Sequence, residues 1–298
     1  MPAATYVLIT PARDEQDFMA ATIESVLAQE LRPFRWIIVS DGSADATDAI
    51  VERYAARHEF ISLLRRPAAT ERGFSSKVSA FHQGYEAVRR LNFDFLGNLD
   101  ADITLEPDYY RRTLERFAGE PRLGVCSAIY WNRVGGGLQS SRTRFTDTPG
   151  AAQLFRRQCY EEIGGYRSLA RGGEDTVAAA MARMRGWKTR SFSEPKVIHN
   201  RPFSGSGTEI LRHRFEQGAC NYAWGAHPLF TLGKVIRRLD EHPPLLGSLA
   251  FMVGYFGLWL RRTPLSVPDD VACFIRAEHM ERLTTRLRLP RRRRLELR

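Results

Sequence analysis

Apolar positions along this chain come in short runs that alternate with stretches of helical spacing. Tyr6-Val-Leu-Ile-Thr10 reads as a first buried strand ending in a Pro-bearing turn, and Phe18, Ala21, Thr22, Ser25 and Val26 follow at the spacing of a helix face. Trp36-Ile-Ile-Val-Ser40 predicts a second strand closed by Asp41-Gly42-Ser43, with Ser43 as a candidate helix cap. A helix through Ala49, Ile50, Arg53 and Tyr54, a strand Phe60–Leu64, a helix Val78–Arg90 and a strand Phe93–Leu99 complete the rhythm. Strands alternating with helices in this way predict an α/β fold, with a mostly parallel sheet flanked by helices. In such sheets ligands sit beyond the carboxyl ends of the strands, where Thr10–Arg13, Asp41 and Asp100–Asp102 all fall.

Beyond Pro107 the pattern loosens. A helix near Tyr109–Phe117, a strand around Gly124–Tyr130, a strand Gln153–Phe155, a helix opening at Glu174 and a strand Lys196–His199 are expected. Between them, Asn132–Gly150 reads as a long Gly/Ser/Thr/Arg-rich loop. Pro244–Leu260 carries no charge over 17 residues, the lower edge of the ~17–25 that cross a bilayer, and three glycines weaken it as a plain helix.

The chain has 298 residues, 43% hydrophobic and 26% charged, which suits a folded protein with room for one large domain and an extension. Cys126, Cys159, Cys220 and Cys273 lie far apart, against a zinc site or disulfide framework and in keeping with a reducing cytosol. The first residues show no secretion signal. Of the net charge of +10, residues 261–298 hold 11 Arg against 5 acids, which suits an anionic membrane surface or nucleic acid.

The sharpest chemical feature is Asp100-Ala101-Asp102, two carboxylates at i and i+2 after an apolar strand. A hard cation with oxygen ligands, Mg²⁺ or Mn²⁺, needs only one or two such groups when phosphates provide the others. The plain alternative is an acidic turn. Asp41 can accept bonds from a base imide or ribose hydroxyl, and Lys77, near a helix start, suits phosphate oxygens or simply a solvated surface. Gly172-Gly173-Glu174-Asp175 allows close approach of the chain to a ligand, then opens a helix with two acids. Such a carboxylate can deprotonate an attacking hydroxyl. His199, after a strand, is either structural or a neutral imidazole ligand.

Taken in order, Val7-Leu-Ile-Thr-Pro11 with Arg13-Asp14-Glu15, Val39-Ser-Asp-Gly-Ser43 with Thr47, Asp100-Ala-Asp102, Gly164-Gly165-Tyr166 and Gly173-Glu174-Asp175 resemble the family 2 glycosyltransferases of the GT-A fold, over residues 5–215. The resemblance implies an inverting transferase using a nucleotide-diphosphate sugar. Thr10, Pro11, Arg13, Glu15 and Asp41 would lie on the nucleotide side, the nucleoside usually being uridine. Lys77, Asp100 and Ala101 would complete the nucleotide-sugar contacts, and Asp102 and His199 would hold the metal. Asp175 would be the base, with Glu174 beside it. The Gln-x-x-Arg-Trp signature of processive synthases is missing, so one sugar per encounter is expected.

Residues 1–215 are thus expected to form the transferase domain, and 216–298 a helical, aromatic and basic extension. That extension would lie on an anionic membrane surface, the alternatives being a packed helical cap or a full span. The expected partners are a UDP-sugar and a hydroxyl acceptor that is lipid-linked or a polysaccharide precursor, with no nucleic acid, and a peripheral place on the cytoplasmic face of the cell membrane. A nucleotidyltransferase would need a Gly-rich loop after the first strand, where this chain has Pro11-Ala-Arg-Asp-Glu15. A nucleic-acid binder would account for the Arg-rich end but not for the converging acids.

Overall fold

A computed structural model describes residues 4–67, 73–134, 137–141, 146–201, 207–241 and 243–288. The chain packs as two units, Met1–Ser168 with Glu174–Phe203, and Leu169–Gly173 with Ser204–Arg298.

The first unit starts with strands β1 (Tyr6–Ala12), β2 (Arg35–Asp41) and β3 (Ile61–Arg66), joined by helices α1 (Met19–Leu27) and α2 (Thr47–Ala55). Helix α3 (Phe74–Val88) leads to β4 (Phe95–Leu99), a short β5 (Ile103–Leu105) and α4 (Tyr109–Gly119). Then come β6 (Leu123–Val134), β7 (Gly137–Ser140), β8 (Ala152–Arg156), α5 (Arg157–Glu162), α6 (Glu174–Met184) and β9 (Lys188–His199). The strands form one sheet in the order β3-β2-β1-β4-β8-β6-β9-β5, with β7 paired to β6. β1 and β2 are buried nearly throughout, as strands covered on both faces must be. Their core includes Tyr6, Leu8, Trp36 and Ile38, with Tyr6 stacked on Tyr110 at 4.6 Å between ring centres.

The parallel sheet expected from the sequence is present in β3-β2-β1-β4 and again between β6 and β9. Elsewhere the sheet is mixed: β8 runs antiparallel between β4 and β6, and β5 antiparallel to β9. The expected loop Asn132–Gly150 is in part strand. β6 continues to Val134, where Asn132 pairs with both His199 of β9 and Gln139 of β7. Polar Asn132 and Arg133 give no strand signal of their own; the neighbouring strands supply the pairing.

The second unit is helical: α7 (Gly207–Ala223), α8 (Pro228–Arg237), α9 (Leu246–Leu260) and α10 (Asp269–Arg288). The expected boundary at residue 215 falls inside α7. Among the described residues no helix is long and apolar enough to cross a membrane. α7 and α9 approach so closely that a Cβ on Gly218 would stand 1.9 Å from the Phe251 carbonyl oxygen, and one on Gly254 would stand 2.1 Å from that of Phe215. The glycines that make Pro244–Leu260 a poor isolated helix thus include the one that lets it pack.

Gly254→Ala should therefore lower the urea unfolding free energy by about 2–3 kcal/mol, because both obstacles are backbone and the helices must separate. Gly257, whose added Cβ would meet nothing within 4 Å, serves as the control: Gly257→Ala should be neutral or stabilising by up to ~1 kcal/mol. Equal losses at the two positions would contradict this account of the crossing.

Candidate active site

The site is assembled by strand register. Ile103 of β5 lies opposite His199 of β9, so Asp102 and His199 meet at one end of that pairing. The Asn200 N–H donates to the Asp102 carbonyl at 2.8 Å, and His199 Nε2 stands 3.1 Å from Asp102 Oδ2. Arg201 Nε donates to the same Oδ2 at 3.0 Å, and the guanidinium also pairs with Glu15. Burial pushes the Asp102 carboxyl upward, but His199 and Arg201 outweigh it and hold it below its ordinary value. The bond to Asp102 in turn raises the His199 imidazole. Glu15, half-buried and close to Asp102 and Asp100, is pushed up to about 7, chiefly by burial and against the pull of Arg201.

A second register places the other acids. Leu99 of β4 pairs with Ala152 of β8, and the Asp100 N–H donates to the Ala151 carbonyl at 2.9 Å. Gly150 is thereby brought up to Asn98, whose amide donates to the Gly150 carbonyl and, at 3.1 Å, to Asp100 Oδ1. The Gly150 N–H donates to Asp175 Oδ2 at 2.8 Å, while the Thr176 N–H donates to Oδ1 at 2.6 Å. Lys77 Nζ, in the first turns of α3, sits 2.8 Å from Asp100 Oδ1 and 3.9 Å from Glu174 Oε1. Lys77, Asn98, Gly150, Tyr166, Glu174 and Asp175 line a cleft of about 230 Å³ together with Val78 and Phe81.

Burial raises both carboxyls at the head of α6. For Glu174 the nearby Lys77 opposes the rise; for Asp175 the Gly150 and Thr176 N–H groups do. Two N–H bonds leave a carboxylate with further lone pairs able to accept a proton. Glu174 Oε2 is buried and has no hydrogen-bond partner among the described residues.

The remaining expected contacts fare differently. Asp41 is buried at the end of β2, with Ser76 donating to Oδ2 and Arg66 Nε 3.3 Å from Oδ1. Thr10 is fully buried, and its hydroxyl accepts from the Trp36 indole at 3.0 Å. Ala101 is likewise a core side chain, its carbonyl accepting from the Thr22 hydroxyl at 2.6 Å. Pro11 and Arg13 are half-buried at the end of β1. Asp14, at φ 55°, ties that end to the next loop, its N–H donating to the Ser43 hydroxyl and its carboxylate accepting from the Ala44 N–H. Ser43 is spent there, and it is Asp45 that accepts from the Thr47 N–H at the start of α2.

Three residues of the site escaped the sequence reading: Asn98, Gly150 and Arg201. Arg201 carried a signal, a cation just past the end of a strand. Asn98 lies within a strand, and Gly150 enters only through the β4–β8 register.

Residues 7–192 match the family described as Glycosyl transferase family 2. The chain belongs to that family. The enzyme is accordingly a glycosyltransferase, and the nucleotidyltransferase and nucleic-acid-binder readings give way. It is 29% identical over 112 residues to a poly-β-1,6-N-acetyl-D-glucosamine synthase of Staphylococcus aureus, covering 38% of this chain and 25% of that protein. It is 27% identical over 258 residues to the O-antigen biosynthesis protein RfbC of Myxococcus xanthus, covering 82% of this chain and 18% of that one. The chain thus spans a quarter or less of these relatives. Among solved structures, a mannosyltransferase from Pyrobaculum calidifontis in complex with GDP-Man and Mn²⁺ superposes with a TM-score of 0.56 at 16% identity, covering 99% of this chain and 84% of that one. S. aureus TarS 1–349 in complex with UDP-GlcNAc gives 0.52 at 13% identity, covering 85% and 71%. At such identities these likenesses show the fold, and that fold is GT-A.

Among the described residues no group of three or more His, Cys, Asp and Glu could hold a metal ion. The Asp102–His199 pair nonetheless fits a divalent cation that arrives with a diphosphate: a buried carboxylate and an imidazole nitrogen converge, and phosphate oxygens provide the other ligands. Binding there needs neutral imidazole. Because Asp102 raises the His199 imidazole, its proton persists to higher pH and competes with the cation. Mn²⁺ affinity measured with UDP present should be constant above that raised pKa and fall about tenfold per pH unit below it. In Asp102→Asn, NMR titration of His199 should move down toward the usual histidine range; an unmoved titration would sink the pairing.

Proposed function

We propose that this glycosyltransferase moves one sugar from a nucleotide diphosphate, in the first instance UDP, to a hydroxyl acceptor, with inversion at the anomeric carbon. The observation that carries the reading is the Lys77 ammonium between Asp100 and Glu174, with Asn98 and Gly150 joining Asp100 to Asp175. A donor-side acid and a candidate base thereby belong to one hydrogen-bond network.

Asp41 with Arg13, Glu15 and the end of β1 would receive the nucleotide, and Asp100 the sugar or ribose. Lys77, now neutralising Asp100, can turn its charge to phosphate oxygens when a donor enters. Asp102 and His199 would hold Mg²⁺ or Mn²⁺, which when bound neutralises the leaving diphosphate. Asp175 then takes the proton of the acceptor hydroxyl as its oxygen attacks the anomeric carbon, and the bond to the diphosphate breaks. Burial favours this role, since a carboxylate raised above its ordinary value is the stronger base. Gly150 and Thr176 hold both its oxygens, which fixes the direction of the lone pairs.

The similar proteins named for poly-N-acetylglucosamine synthesis and O-antigen biosynthesis support a saccharide acceptor in polysaccharide assembly. The neighbours with GDP-Man and with UDP-GlcNAc leave the donor to a direct screen of UDP-, GDP- and dTDP-sugars for metal-dependent turnover. We further propose a lipid-linked acceptor and a peripheral place on the cytoplasmic face of the cell membrane.

Asp175→Asn should spare UDP binding while cutting kcat by at least ~10²; calorimetry with UDP and initial rates together decide this, and undiminished turnover would remove Asp175 from the base role. The acid limb of the wild-type kcat profile should lie above the ordinary carboxylate range, with activity lost as pH falls through it. Asp102→Ala should weaken UDP binding in Mn²⁺ but not in chelator. Unchanged Mn²⁺-dependent binding would exclude Asp102 as a ligand.

A further inference from the structure

Helix α9 is apolar all round, yet only half of it is covered. Gly247, Phe251, Gly254 and Tyr255 are buried in the second unit. On the opposite face Leu246, Leu249, Val253 and Leu260, at i, i+3, i+7 and i+14, are each 50–73% exposed. Helix α8 repeats the arrangement: Leu229, Leu232 and Ile236 are exposed at i, i+3 and i+7 while Phe230 and Thr231 are buried. The two helices belong to one platform, the Ser248 hydroxyl of α9 donating to the Val235 carbonyl of α8. Leu245, just before α9, is held at φ 61° with its side chain two-thirds exposed, a costly backbone for a leucine. Isolated exposed leucines need no explanation, but a stripe on each of two packed helices does.

We propose that this α8–α9 face docks on the surface of an anionic lipid bilayer. Length and charge select that occupant. At ~1.5 Å per residue the 15 residues of α9 reach about 22 Å, short of a hydrocarbon core of about 30 Å, so the helix lies on the surface rather than crossing it. Neither α8 nor α9 contains an acidic residue, and residues 228–262 carry five basic side chains against two acidic ones. One of the two acids, Glu241, is paired with Arg214 at 2.6 Å. Exposed Arg237 ends α8, and exposed Arg261 and Arg262 follow α9, flanking the leucines with positive charge. A second copy of this face would bring like charges together. Anionic headgroups complement them, and leucines with Trp259, itself about half exposed, suit the boundary below. The inference rests on the peripheral reading above and names its surface.

The test is co-sedimentation of the full chain with vesicles of phosphatidylcholine alone or with 30% phosphatidylglycerol, at low and high salt. Wild type should partition onto the anionic vesicles, at least ~10-fold more weakly at 1 M salt, where the Debye length is ~3 Å. Leu249→Asp with Val253→Asp, on exposed positions, should reduce partitioning at least tenfold. Phe34→Ser, an exposed aromatic of the first unit, should leave it unchanged. Rates with a soluble acceptor should be the same for all variants, so failure to dock is distinguishable from failure of the transfer chemistry. Equal partitioning of wild type and the double variant overturns the proposal. So does wild type that stays in the supernatant, whether monomeric or, by light scattering, a dimer that the double variant splits.

Discussion

Charge compensation is the constraint on which the candidate active site depends. Glu15, Asp100, Asp102, Glu174 and Asp175 are carried to one region by separate elements, and burying like charges together is prohibitive unless cations are interleaved. The fold supplies them in two groups. Arg201 and His199 meet Asp102, with Arg201 reaching on to Glu15. Lys77 lies between Asp100 and Glu174. At Glu15 burial still lifts the carboxyl to about 7 against the pull of Arg201. Each of these cations is a long or titratable side chain.

This compensation explains how much of the site was legible in the sequence. Asp100, Asp102, Glu174 and Asp175 were readable because their positions follow from local grammar: an apolar strand running into acids, and glycines opening a helix with acids in its first turn. Lys77 was ambiguous between phosphate ligand and surface charge, and only the two acids beside it give it work. Asn98, Gly150 and Arg201 act through registers between strands far apart in sequence. Asn98 and Asp175 are joined only because Leu99 lies opposite Ala152. No periodicity encodes such a pairing, since β4 and β8 are separated by four other elements. Thr10 shows the converse: a polar residue at a strand end resembles a ligand contact, and the fold also gives its hydroxyl a partner in the indole of Trp36.

The sheet repeats the lesson at larger scale. The βα rhythm through Leu99 identified the parallel half because each of its strands before β4 is followed by its own helix. The second half is built from hairpins and long strands whose polar residues pair with neighbours, as Asn132 does with His199 and Gln139. That half carries His199 and Gly150. The part of the fold least visible in the sequence therefore orients the candidate acids that were most visible.

Helix α9 raises a different question, because its glycines and its leucines answer to different partners. Gly254 permits the approach of the Phe215 backbone, which fixes which face turns inward. That choice leaves Leu246, Leu249, Val253 and Leu260 outward with no freedom to rotate away from water. A helix held this firmly cannot relieve its exposed stripe by adjusting within the unit. Hydropathy alone cannot distinguish a short span from a buried helix; the close crossing with α7 does, because it commits half the circumference to protein.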